Sequence, residues 1–120
     1  MALEISMPIG HPPKSRPFDL ASATRRVVGE CKAFTWTASG NVPSAKVTTL
    51  REACQYLRLL PEGTTRLLLM ARSVHPRTGE PLADYFCRLN THLLGDVVVV
   101  EVGDYGSLRP VRGRLPEPLG

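Results

Sequence analysis

In the stretch "LLGDVVVVEVGDY", Leu93 to Tyr105, four valines follow one another without a polar break. Such a run is far shorter than the roughly 20 residues of a spanning helix, yet too uniformly apolar for a strand with one wet face. Both of its sides therefore need cover. Just upstream, "LADYFCRLNTHLL" alternates Tyr85, Cys87 and Leu89 with Asp84, Phe86 and Arg88, a period that favours a strand over a helix. Gly95 and Asp96, between the two stretches, have the Gly-first order of a type II′ turn, so the pattern predicts a β-hairpin whose second arm carries the valines.

Five more patterns complete the layout. "RRVVGECKAFTWTA", Arg25 to Ala38, is rich in β-branched and aromatic residues and reads as a long strand. Its parity is imperfect, because Glu30 and Lys32 share a face with Phe34 and Trp36. Either that face turns from wet to covered along the strand, or Gly29 marks a bulge. "SGNVPSAK" reads as a loop. A capping box at Thr49 and Glu52 then opens a helix whose apolar face is Leu50, Ala53, Cys54, Leu57 and Leu60, and Pro61 stops it. "TTRLLLMARS" is a strand with an apolar centre, and "VHPRTGEP" is a turn-rich connection.

The order predicts an α+β fold, a mostly antiparallel sheet of about four strands with one amphipathic helix packed on one face. One helix covers only one valine parity. The other, with Val97 and Val99, is expected to meet an arm, a tail or a second copy of the chain, and Tyr85, Phe86 and Tyr105 are placed with it at a self-association surface.

Composition sets the limits of this domain. Prolines and glycines crowd into "MPIGHPPKSRPFD" and "RPVRGRLPEPLG", so residues 1–20 are expected to form a flexible basic arm, 21–108 a single domain and 109–120 a basic tail. The net charge is +4, with 15 basic residues of which 12 are arginines. Arginine suits bidentate phosphate binding, although GC-rich coding enriches it too. Lys14, Arg16, Arg25, Arg26, Arg109, Arg112 and Arg114 lie in or beside flexible sequence, and are the candidate contacts to phosphates of nucleic acid or of anionic lipid headgroups. Solvated charge is the plain alternative.

Cys31, Cys54 and Cys87 show no metal-binding spacing, and of His11, His75 and His92 only His92 has a carboxylate at helical distance, Asp96, a pair that falls short of a metal site. No metal, cofactor or small-molecule substrate is expected. Asp84, Glu101 and Asp104 could imitate an acid/base group but read better as solvated carboxylates or partners of Arg72 and Arg88. The expectation is a protein without catalytic residues, and the start "MALEISMPIG" lacks the basic and apolar regions of a secretory signal.

The segment from Pro81 to Tyr105, about a fifth of the chain, resembles a stretch in the matrix proteins of bornaviruses. It shares Leu82, Asp84, Tyr85 and Phe86, a short turn, a valine-type strand and a closing Asp104–Tyr105. The plan of a long strand and loop leading into an amphipathic helix is similar to that of other small matrix proteins of non-segmented negative-strand RNA viruses. "HPPK" and "VPSAK" each fall one residue short of late-budding motifs. The resemblance implies a homo-oligomeric structural protein on the inner face of a viral envelope, in host cytoplasm and at its membranes, bridging anionic lipid to nucleoprotein or RNA. The alternative is a small basic nucleic-acid-binding or regulatory module with no membrane role.

Overall fold

A computed structural model describes residues 2–41 and 44–116. Six strands form one sheet in the order in which they occur along the chain: β1 (Ala2–Ile9), β2 (Lys14–Ala21), β3 (Val27–Lys32), β4 (Thr65–Ala71), β5 (Val98–Val102) and β6 (Leu108–Arg112). Strands β3, β4 and β5 run parallel to one another, while the β1–β2, β2–β3 and β5–β6 pairs are antiparallel. Helix α1 (Ser44–Arg58) links β3 to β4, and α2 (Leu82–Leu89) with the short α3 (Thr91–Leu94) links β4 to β5. The architecture is thus a mixed six-stranded α+β sheet with three helices, in place of about four strands and one helix.

Parallel neighbours need crossover connections, and crossovers of one hand between strands laid side by side in order fall on one face of the sheet. Buried side chains of α1, α2 and α3 accordingly share one core with Val28, Leu68, Met70 and Val99. A smaller cluster of Val27, Leu67, Val98 and Val100, with Leu69 and Leu115 against it, lies on the opposite parity. Both faces of the valine strand β5 are covered within the chain: Val99 is buried on the helix side, and Val98 and Val100 are buried on the other, where Leu115 packs against their cluster.

The expected hairpin is absent because "LADYFCRL" is helical. Leu82, Ala83, Phe86 and Cys87 are its buried residues, at the i, i+1, i+4, i+5 spacing of one helix face, and Gly95 ends α3 with a positive φ of 54°. Val97 and Val99 are 1% and 0% exposed and Phe86 is 1% exposed, so these three lie in the core and not at a subunit surface. Tyr85 is half-buried, whereas Tyr105 is fully exposed in a single helical turn at 104–106, with φ 60°.

Helix α1 begins five residues before the expected cap. Thr48 and Thr49 are interior to it, and their hydroxyls donate to the carbonyls of Ser44 and Ala45 four residues back. The expected arm is a β-hairpin, whose prolines Pro8 and Pro17 sit in the two outermost strands on that side. Val42, Pro43 and residues 117–120, which include part of the "VPSAK" stretch and the end of the expected tail, lie outside the described residues.

Candidate active site

The β2–β3 ladder consists of two pairs only, Leu20 with Gly29 and Ala21 with Val28. The next pair would set Asp19 opposite Glu30. At that level the backbones part and side chains take over their hydrogen bonds. The Asp19 N–H donates to Glu30 Oε1 at 3.1 Å, and the Cys31 N–H donates to Asp19 Oδ2 at 2.7 Å. Each carboxylate thus satisfies a backbone donor of the other strand that the parting would strand.

The cause of the parting lies in the hairpin. β1 and β2 skip a pair at Glu4, whose φ is 52°, directly across from Asp19. Beyond this irregularity the hairpin follows the helix and leaves β3. Met7, Ile9 and Phe18 enter the main core, and the Gly10 N–H reaches the Leu59 carbonyl just past the end of α1 at 3.4 Å.

Two cations border the gap. Arg16 Nη2 is 3.6 Å from Glu30 Oε2, with its guanidinium 4.0 Å from the Tyr56 ring centroid and 4.7 Å from that of Phe18. Lys32 Nζ is 3.9 Å from the same carboxylate oxygen. Glu30 is buried, and burial together with the neighbouring charge of Asp19 raises its pKa despite the opposing pull of Arg16, the Asp19 N–H and Lys32. Lys32 is the last residue of β3, and Glu30, level with Leu68 of β4, lies two residues inside that end, on the side where open α/β sheets present their ligand crevices.

A carboxylate held with a raised pKa weakens the fold at neutral pH. Its folded form binds a proton that the unfolded chain has already released, so its contribution to stability falls as pH rises from the ordinary carboxylate value through the raised one. Glu30→Gln is therefore expected to leave the melting temperature at neutral pH unchanged or higher, and to flatten that part of the stability-versus-pH curve. Thermal melts across the acid range would measure it, and a lower melting temperature at neutral pH would count against a strained carboxylate.

Chemically, two carboxylates with a lysine beside them form a hard, oxygen-rich place for a small divalent cation next to a point charge suited to phosphate. Among the described residues no group of three or more His, Cys, Asp or Glu side chains could hold a metal. A cation at Asp19 and Glu30 would rest on two side chains and keep several waters, which is the habit of Mg²⁺. Like charges forced together and desolvated are also what such a cation would relieve.

Of the basic residues expected at phosphates, only Arg16 joins this group. Lys14 is exposed at the start of β2. Arg25 and Arg26 are exposed in the β2–β3 turn, where Arg25 Nη1 donates to the Ser22 carbonyl. Arg109 bridges Glu101 and Asp84, Arg112 donates to the Gly95 carbonyl, and Arg114 is exposed beyond β6. The seven do not form one belt. Glu101 is buried, and its hydrogen bonds from Arg109 lower its pKa, with Arg72 at 2.9 Å acting in the same sense against desolvation. The Asp84 and Glu101 carboxylates are therefore tied to cations and poorly placed to move protons.

The cysteines are poor nucleophiles. Burial pushes the Cys54 thiol up to about 12 and the Cys87 thiol up to about 11. Cys31 is exposed, and its pKa is raised by desolvation and by Asp19 and Glu30.

The residues that sequence reading passed over are Asp19 and the Glu30–Lys32 pair as a functional group. Their signal was present as the broken parity of β3, where charged residues occupy alternate positions facing the helices on an otherwise apolar strand. Asp19 gave none, because its partner is set by register. No family model, curated protein or solved structure matches this chain.

Proposed function

We propose that this protein is a divalent-cation-dependent phosphodiesterase acting on nucleic acid. The observation that carries the reading is the pair Asp19 and Glu30 crossing the gap between β2 and β3, with Lys32 3.9 Å from the Glu30 carboxylate. A cation held there would supply Lewis acidity to a phosphodiester and its attacking water. In hydrolysis, the water oxygen bonds to phosphorus, one bridging P–O bond breaks, and the proton released from the water ends on the departing oxygen.

Each side chain has a part in that scheme. Asp19 and Glu30 would hold the cation, and the backbone N–H groups that their carboxylates accept keep the two from swinging apart. Lys32 faces the negative charge that builds on the phosphoryl oxygens. Arg16, clamped between two rings, stabilises the charge of Glu30 and keeps its position. The positive net charge of +4 supports a polyanionic substrate over a neutral one. The residue pattern had placed Val97 and Val99 at a free face and residues 1–20 in a flexible arm, whereas both valines are buried in the core and the arm forms strands β1 and β2.

The test is cleavage of supercoiled plasmid and of labelled DNA and RNA oligonucleotides in Mg²⁺ or Mn²⁺. Cleavage that stops with EDTA, returns with added cation and is lost in Asp19→Asn is expected. Isothermal titration of Mn²⁺ should show binding that Asp19→Asn weakens. Absence of cleavage of every substrate in both cations, or cleavage that survives EDTA, would overturn the reading.

A further inference from the structure

Exposure along the chain after Glu30 alternates without a break. Cys31, Ala33 and Thr35 are exposed, while Lys32, Phe34 and Trp36 are half-buried. The segment that follows β3 thus keeps the parity of the strand. Glu30, Lys32, Phe34 and Trp36 form one row, stepping about 7 Å at a time in extended chain. That step is close to the spacing of successive phosphates along an extended polynucleotide strand.

The row ends in a groove. An open space of about 620 Å³ is lined by Trp36, Tyr85, His75, Asn41 and Glu80 among others. Its aromatic wall is built edge to face, with the Trp36 ring centroid 4.9 Å from Tyr85 and 4.8 Å from His75. The indole N–H is fixed by the Glu80 carbonyl at 3.1 Å. The His75 ring is fixed too. Its Nδ1 accepts the N–H groups of Arg77 and Thr78, so Nε2 carries the hydrogen and donates to the Gly40 carbonyl at 3.0 Å. Gly40 has φ 84°, and a Cβ there would lie 2.7 Å from His75 Nε2, so the close join between the loops after β3 and β4 requires glycine.

Halfway along the row, the Lys46 ammonium is 5.1 Å from the Phe34 centroid, from the first turn of α1. Cation, aromatic ring and rigid aromatic groove therefore follow the acidic pair in sequence. Cations track a phosphate backbone, and ring faces take unpaired bases, which a duplex keeps stacked inside itself.

From this order we infer that the substrate is bound as a single strand, with its backbone passing Lys32 and Lys46 and an unpaired base two or three nucleotides from the acidic pair docked in the Trp36–Tyr85 groove. The choice of a polynucleotide rests on the proposed phosphodiesterase function, but binding can be read without any cleavage. Trp36 is the only tryptophan, so its emission reports on the groove alone.

The experiment titrates the wild-type chain, in EDTA, with a short single-stranded oligonucleotide and with a blunt duplex of the same length, following Trp36 fluorescence and the anisotropy of a labelled strand. The single strand is expected to quench Trp36 and to bind at least about tenfold tighter than the duplex, the size of one base–aromatic stack. Tyr85→Ala, which removes one wall of the groove and is checked for folding by its circular dichroism and melt, should lose most of that preference and leave duplex affinity in place. Trp36→Phe keeps a ring and should keep it. Equal affinity for the two forms, no quenching, or a preference unchanged in Tyr85→Ala would overturn the inference. If the single strand is preferred in EDTA but no substrate is cut in Mg²⁺ or Mn²⁺, the phosphodiesterase reading fails and this one stands. If cutting is metal-dependent without strand preference, the reverse holds.

Discussion

Lys32→Met is expected to lower the cleavage rate about 10²- to 10³-fold at saturating substrate, the loss seen when one preorganised group facing transition-state charge is removed. The side chain leaves β3 two residues after Glu30 on the same face, so it lies beside the acidic pair and cannot drift far from it. Methionine keeps the length and apolar stem and removes the charge. The split of the kinetic constants tells its role. If the ammonium acts on charge that grows during reaction, kcat falls and KM changes little. If it only attracts substrate, KM rises and kcat holds. Mn²⁺ affinity should not fall, because a positive neighbour is lost from a cation site. A variant with wild-type kcat would remove Lys32 from the chemistry.

The second large effect is on folding. Arg66→Met is expected to cost about 3 kcal/mol or more, from a buried charge network broken at one member and backbone acceptors left bare. Arg66 is 7% exposed, and its guanidinium collects the chain that leaves α1. Nε donates to the Leu57 carbonyl at 2.8 Å, Nη2 to Leu60 at 2.8 Å and Pro61 at 3.3 Å, and Nη1 to Thr64 at 3.1 Å and to Asp96 at 2.9 Å. Carbonyls at a helix end have no partner within the helix, and the guanidinium serves one of them, Leu57, together with three carbonyls of the turn that follows, Leu60, Pro61 and Thr64. Methionine fills the volume and donates nothing. Chemical denaturation should show the loss, with a melting temperature lower by roughly 10 °C. The Asp96 side chain is 71% exposed, so Asp96→Ala should cost no more than about 1 kcal/mol. Equal stability of wild type and Arg66→Met would show that water replaces the guanidinium at these carbonyls.

These two residues differ in how far the sequence announces them. Lys32 stood out as a charge on a strand face shared with Phe34 and Trp36. Arg66 looked like any arginine beside an apolar run, since its role depends on the end of α1 folding back over it. The same division runs through the fold. Helix α1 and strands β4 and β5 were legible, because their periods of 3.6 or continuous apolar centres are local facts. Segment 82–89 was not, since Tyr85, Cys87 and Leu89 satisfy a period of two while Leu82, Ala83, Phe86 and Cys87 satisfy a helix face. Burial against β5 and β6 decided for the helix. The N-terminal hairpin was hidden by its prolines, which at a sheet edge cost little.

By itself the sequence determined the amphipathic helix, the strands covered on both faces, the arginine-rich positive charge and the charged interruption in β3, all of which depend on residues near one another along the chain. Only the tertiary structure decided that the valines are covered from within, by helices on one side and, on the other, by Leu115 packing against the row that Val98 and Val100 share with Val27 and Leu67. It alone decided that Asp19 meets Glu30, eleven residues apart in the chain. The physical reason is register. Where β2 and β3 stop exchanging backbone hydrogen bonds, their stranded N–H groups must be satisfied, and the two carboxylates that satisfy them are brought together by a hairpin that curves away over α1.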